Sequence, residues 1–168
     1  VRFGASTKTA PAKTEQTATA AEQDQRHNLI LSAFLFALWS VQLFAYMTWV
    51  PDYLVNAQDF APETAALIFV LPMAVLTLFN LVAAPILRLG MPVPTLFILS
   101  VGVQTAFWFA LPVLGPLGAG IGGLVIYAAA AGITPTCLFA LPGTIYGVEN
   151  AGSRSYGVLM TGRNLGVL

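Results

Sequence analysis

The chain of 168 residues is 57% hydrophobic and only 8% charged, whereas about a quarter of an ordinary soluble domain is charged. This composition excludes a water-soluble globular domain, and the zero net charge by itself indicates no partner. One Cys and one His leave no disulfide framework and no side-chain cluster for a metal or haem. We therefore expect no catalytic residues, no metal, no cofactor and no nucleic-acid partner.

Residues 1–27 differ in composition from the rest of the chain, being rich in Ala, Thr, Gln, Lys and Glu without an apolar period. Such a segment buries too little apolar surface to offset the entropy of ordering it. It is predicted to be a cytoplasmic disordered tail or a loop between two helical bundles. Because the chain begins with Val and ends inside an apolar run, we expect it to be part of a longer polypeptide.

Long apolar segments make up residues 28–168, and no Asp, Glu, Lys, Arg or His occurs from Leu89 to Val148. About 20 apolar residues cross the ~30 Å hydrocarbon layer of a bilayer. The predicted fold class is therefore all-α, a polytopic membrane helical bundle with four complete transmembrane helices and the start of a fifth. The predicted helices cover residues 28–54, 63–87, 93–112, 117–142 and, truncated, 153–168.

Basic and acidic residues separate onto opposite sides of this predicted bundle. Arg26 lies before the first predicted helix, Arg88 after the second and Arg154 after the fourth. In contrast, the charged residues in the loop after the first helix are all acidic. Short cytoplasmic loops carry an excess of Lys and Arg. We therefore predict an integral protein of the cell (inner) membrane, with the lipid bilayer as a partner and the N-terminal tail in the cytoplasm.

The first predicted helix carries a polar and aromatic stripe. Trp39, Gln42, Tyr46, Trp49 and Tyr53 are three or four residues apart and share one helical face. One interpretation is that Gln42, Tyr46 and Trp49 bind a substrate in a wet cavity. The alternative is that Trp49 and Tyr53 belong to the aromatic belt at the membrane interface, while the other side chains pack between helices.

Further polar groups lie deep in the second to fourth helices. Asn80 is a candidate binding residue, whereas Gln104 is better explained as a hydrogen-bonding group between helices. The segment Gly132–Thr136 is predicted to interrupt the fourth helix because Pro135 lacks a backbone donor.

Discontinuous helices often mark transporter sites, so Thr134 and Thr136 are binding candidates, although a simple packing kink explains the proline equally well. Gly118 and Gly122, four residues apart, are predicted to form a surface for close helix packing.

Arg163 is the one charged residue predicted inside a membrane segment. It lies ten residues after Ser153, about 15 Å along a helix. Intramembrane Arg is costly and usually functional, so an anion-binding role is one interpretation. The alternative is that its long side chain reaches the cytoplasmic interface.

Three stretches resemble the C-terminal half of the major facilitator superfamily. Residues 49–54 (WVPDYL) resemble the end of the seventh helix, and residues 87–90 (LRLG) resemble a reduced form of the turn between the eighth and ninth helices. Residues 151–157 (AGSRSYG) with 162–166 (GRNLG) resemble the turn into the eleventh helix. The resemblance covers residues 20–168, and the first-helix pattern is also similar to that of cyanate-transporter-like members.

This resemblance implies that the first and fourth helices line a central cavity, that the second and fifth face the other half, and that the third packs outside. The implied partners are a small, possibly anionic solute and an N-terminal half of the same protein or a membrane partner complex. The expected function is secondary active transport of that solute by alternating access. The alternative is a non-transporting subunit that scaffolds or docks onto a larger membrane complex, and we do not expect an enzyme.

Overall fold

The structure, a computed structural model, describes residues 11–113 and 119–168. In this part of the chain it contains helices and no strand, which confirms the predicted all-α fold class. The helices are α1 (Pro11–Asn56), α2 (Pro62–Arg88), α3 (Val93–Ala110), a 3-10 helix (Leu111–Val113), α4 (Ala119–Tyr146) and α5 (Ser153–Leu165).

Four of these helices are long and apolar enough to cross a bilayer, as predicted. The candidate spans are Ala21–Asn56, Pro62–Arg88, Val93–Val113 and Gly120–Tyr146. Their length and composition are compatible with an integral membrane protein.

The helix α1 begins earlier than the sequence pattern predicts. Residues 11–27, predicted to belong to a disordered tail, form its first turns. Ala, Glu, Gln and Lys have high helix propensity, and extending an existing helix requires no new nucleus. Residues 1–10 of the predicted tail and residues 114–118 of the predicted turn lie outside the described residues.

The predicted interruption of the fourth helix is wrong. The helix α4 runs through both Pro135 and Pro142 without a break. A proline inside a helix removes one hydrogen bond and can leave the remaining turns in place. Next to Pro135, the Thr134 hydroxyl lies 3.1 Å from the carbonyl oxygen of Ala130 and supplies a side-chain contact at this turn.

Three glycines mark the points where helices cross most closely. A Cβ atom added at Gly132 on α4 would overlap the backbone of α2 at Leu76. Added at Gly162 or Gly166 on α5, it would overlap the backbone of α1. Of the two predicted packing glycines, Gly122 has open space around it, and Gly118 lies outside the described residues.

The helices form two joined groups. The helix α4 packs mainly against α2 and α3, while α1 packs mainly against α5 and also touches α4 and α2. An aromatic cluster lies where α1, α3 and α4 meet, with the rings of Tyr46 and Tyr127 stacked at 4.2 Å. A second cluster joins Phe36 and Trp39 of α1 to Leu138 of α4 and Leu159 of α5.

Candidate functional site

A cavity of about 400 Å³ lies between α1, α2, α4 and α5. Its polar lining consists of Trp39, Ser40, Asn80 and Arg163, which come from three different helices, and α4 contributes Pro135. The rest of the lining consists of Phe, Leu and Val side chains. The cavity therefore combines an apolar wall with a few polar groups, as small-molecule sites generally do.

Three cavity residues lie at similar distances from the ends of their helices. Arg163 lies ten residues from the start of α5, Asn80 eight residues from the end of α2, and Pro135 eleven residues from the end of α4. At 1.5 Å per residue these separations are about 15, 12 and 17 Å. All three helix ends precede or follow loops that are predicted to share the basic side, and the separations are about half of the ~30 Å hydrocarbon thickness.

The cavity carries an uncompensated positive charge. The guanidinium of Arg163 offers five N–H donors and stays protonated in proteins. No Asp or Glu lines the cavity, and the sequence contains no carboxylate side chain between Glu63 and Glu149. An anionic group of a ligand would supply the missing opposite charge.

Two buried donors beside the cavity have no hydrogen-bond partner among the described residues. They are the indole nitrogen of Trp39 and the hydroxyl of Ser40, whose residues are only 9% and 2% exposed. Leaving a buried polar group without a partner costs about 1–3 kcal/mol. Both residues line the cavity.

The structure brings two of the sequence-predicted site residues to this cavity, Asn80 and Arg163. A third, Thr136, lies close by, because its hydroxyl donates to the backbone carbonyl of Asn80 over 3.4 Å. This bond ties α4 to α2 beside the cavity.

Tyr46 and Thr134, also predicted as site residues, lie between helices and do not line the cavity. The Tyr46 ring is fully buried and its hydroxyl donates to the backbone carbonyl of Leu124 over 3.3 Å. The fully buried Thr134 hydroxyl accepts a 2.7 Å bond from the Gln104 amide and lies 3.0 Å from the Ser100 hydroxyl. The hydrogen bonds among Gln104, Thr134 and Ser100 join α3 to α4, which agrees with the structural role predicted for Gln104.

The remaining members of the predicted stripe lie elsewhere. Gln42 is half-buried and lies near the Tyr127 hydroxyl. That hydroxyl has no hydrogen-bond partner in the part of the chain that the structure describes. Trp49 is 65% exposed and lines a separate pocket of about 340 Å³, together with Asp52 and Trp108. The stripe is thus shared between the bundle interior and the end of α1.

Sequence reasoning included Trp39 in the stripe without selecting it as a site residue, and it missed Ser40 entirely. A single hydroxyl in an apolar helix is a weak signal, because Ser is common where membrane helices pack. Only the neighbouring helices show that this hydroxyl lacks a partner.

Contacts at one end of the bundle bring together segments that the sequence predicts to lie on the same side. A pocket of about 490 Å³ is lined by both Arg26 of α1 and Arg154 at the start of α5. The Tyr146 hydroxyl at the end of α4 donates to the backbone carbonyl of Gln25 over 3.3 Å. Two of the predicted basic loops therefore share one end of the bundle.

No group of three or more His, Cys, Asp or Glu side chains that could hold a metal ion occurs in the described part of the chain. Comparisons of the chain with protein families, curated proteins and solved structures give no match.

Proposed function

We propose that this chain forms part of a secondary active transporter of a small solute, with the cavity between α1, α2, α4 and α5 as its solute site. The observation that carries the proposal is the convergence of Trp39, Ser40, Asn80 and Arg163 on one cavity, which would lie near the membrane midplane if α2, α4 and α5 meet the membrane surface at the ends named above. Secondary transporters bind their substrates near the midplane. Polar and ionisable residues at this depth are costly and generally serve a function.

The type of transporter that we propose is the major facilitator superfamily, with this chain as part of its C-terminal half. The resemblance predicts that the third helix packs outside; α3 packs mainly on α4 and contributes no residue to the cavity. It also predicts that α1 and α4 line the solute path and that α2 and α5 face the other half, whereas all four helices contribute residues to the cavity wall. Alternating access would then require an N-terminal bundle that rocks against this one.

Transport by the full-length protein that contains this chain tests the proposal. The protein is reconstituted in liposomes and screened for saturable uptake of labelled small solutes. We expect uptake of at least one solute, which Arg163→Gln lowers about tenfold or more because the lost charge-assisted bonds are strong. Arg26→Gln is the matched control, since Arg26 is exposed at the cytoplasmic end of α1 and does not line the cavity.

The alternative function gives a different result. A full-length protein that is well folded and co-purifies with other membrane proteins, yet moves no solute in the screen, would be the non-transporting subunit. Equal uptake by the parent protein and the Arg163→Gln variant would show that the protein transports a solute but that the solute does not bind in this cavity.

A further inference from the structure

We propose that the cavity recognises a small organic carboxylate with an apolar body, and that Arg163, Trp39 and Ser40 together hold its carboxylate group. This inference rests on the proposed function, because it names the class of solute that the same cavity accepts. The three residues come from two helices, α1 and α5, which cross closely beside the cavity.

The polar chemistry of the cavity is dominated by hydrogen-bond donors. The Arg163 guanidinium and the Trp39 indole can only donate, and the Ser40 hydroxyl has a proton to donate as well. The indole and the hydroxyl have no acceptor among the described residues. A carboxylate offers about four lone-pair sites on two oxygens, so it can satisfy several of these donors at once.

Charge selects a carboxylate over a neutral acceptor. A neutral amide would bond to the donors but would leave the Arg163 charge uncompensated in a cavity without Asp or Glu. Charge-assisted hydrogen bonds are roughly twice as strong as neutral ones, and Arg pairs with carboxylates in a bidentate geometry.

The apolar wall selects a ligand with a hydrocarbon or aromatic body. Phe36 and Phe139 meet edge to face with ring centroids 5.2 Å apart, and the Trp39 ring lies 5.7 Å from that of Phe36. These rings belong to residues that line the cavity. An inorganic anion would leave this wall without a partner, whereas a ring or short alkyl chain would bury apolar surface against it.

Matched pairs of carboxylates and neutral amides test the assignment on the full-length protein in detergent. The probes are benzoate with benzamide and hexanoate with hexanamide, and the measurements are binding by calorimetry and the midpoint of thermal unfolding. We expect at least one carboxylate to bind and raise the midpoint, with its amide bound about tenfold more weakly or not detectably.

Variants of the three residues separate their contributions. Arg163→Gln should abolish the preference for the carboxylate over its amide, while Arg26→Gln should retain it.

Trp39→Phe keeps an aromatic ring and removes only the donor, so we expect carboxylate affinity to fall by about threefold to tenfold. Trp108→Phe is its matched control, because that indole N–H is also buried without a partner but lies outside the cavity. Ser40→Ala should weaken binding by a similar factor.

The possible failures are distinct. Equal binding of both members of each pair, or a carboxylate preference that survives Arg163→Gln, overturns the assignment. Absence of carboxylate binding overturns it as well. If the uptake screen still finds a transported neutral solute, only the solute class is wrong, whereas no uptake of any solute rejects the proposed transport function too.

Discussion

Buried polar side chains in this bundle form two groups that differ in whether a neighbouring helix satisfies them. Gln104, Ser100 and Thr134 share hydrogen bonds between α3 and α4. Trp39 and Ser40 have no partner among the described residues although they are almost fully buried. Hydrocarbon offers no hydrogen bonds, so packing between α3 and α4 explains the first group. In the second group Trp39 and Ser40 line the cavity, whereas the equally unpartnered Trp108 and Tyr127 do not.

The first group gives a prediction for Thr134→Val, which keeps the shape of the side chain and removes its hydroxyl. We expect the full-length protein to lose about 1 kcal/mol of stability, because the Gln104 amide loses its 2.7 Å partner. Solute affinity should not change. Unfolding in detergent measures the first quantity and calorimetry the second.

Thr77→Val is the matched control, since the exposed Thr77 hydroxyl donates only to Met73 within its own helix. That variant should alter stability by less than about 0.5 kcal/mol. A Thr134→Val protein of parental stability and reduced solute affinity would contradict the structural role and return Thr134 to the binding site.

Two substitutions at Tyr46 distinguish its ring from its hydroxyl. Tyr46→Phe removes a long 3.3 Å bond and keeps the ring stacked on Tyr127, so we expect a loss of at most about 1 kcal/mol. Tyr46→Ala should cost about 3–5 kcal/mol by leaving a cavity in the core. Unfolding measurements with uptake assays check both variants, and lost uptake in a stable Tyr46→Phe protein would instead place the hydroxyl in the solute path.

The placement of Tyr46 and Thr134 shows what residue patterns omit. Their positions in the sequence predicted which side chains share a helical face or flank a proline, but the partner of each face depends on how α3 and α4 cross. Arg163 and Asn80 were selected because their chemistry is unusual in an apolar helix however the helices cross, and both line the cavity. Ser40 could not be predicted, since only the structure shows that its hydroxyl is unpartnered.

At the scale of the helices, glycines decide how closely two elements approach. Gly162 of α5 and Gly166, the residue directly after α5, lie four residues apart and face the backbone of α1 at Ala33 and Ala37. This spacing is the small-residue pattern of close membrane-helix pairs. The same crossing positions Arg163, which lies between the two glycines in sequence and lines the cavity.

We therefore expect Gly162→Ala to separate α5 from α1 and to disturb the cavity. Its new Cβ would overlap the backbone at Ala33, which cannot move aside like a side chain, so both stability and solute binding should fall. Gly157→Ala, on the same helix with open space around it, should be neutral or stabilise by up to about 1 kcal/mol. Unfolding and binding measurements compare the pair, and equal behaviour would show that this crossing is not close.

The continuity of α4 shows a limit of proline as a signal. Pro135 removes a donor whether the helix breaks or continues, and the sequence does not state which neighbours support the surrounding turns. In the structure Gly132 packs against α2 and Thr134 bonds to α3, both in the turn that precedes this proline. These contacts support the turn before Pro135, and the helix continues through the proline. Pro135 itself lines the cavity.

For the whole molecule, hydropathy predicted the main features because they depend on the solvent and little on detailed packing. Segments long enough to cross hydrocarbon became the four long helices, with ends close to those expected for α2 and α3. The extent of α1 was less predictable. Helix propensity in residues 11–27 is a local property, and the absence of an apolar period there indicated solvent exposure without excluding a helix.

The direction in which the bundle crosses the membrane is predicted by its loops and can be tested by labelling introduced cysteines. Ala61 lies in the loop between α1 and α2 and Glu149 in the loop between α4 and α5, and both are exposed. With basic loops in the cytoplasm, an impermeant maleimide added to intact cells should label the Ala61→Cys variant and not the Glu149→Cys variant. Opening the cells should expose the second site.

The parent protein provides the control for this experiment, because its Cys137 is fully buried and should react with the reagent in neither case. The loop positions are chosen to avoid Asp59, whose φ of 54° would be strained with most other side chains. The two loops are separated by three candidate spans, so they must face opposite compartments if every span crosses. Labelling of both variants from the same side would mean that at least one of those helices does not cross the membrane.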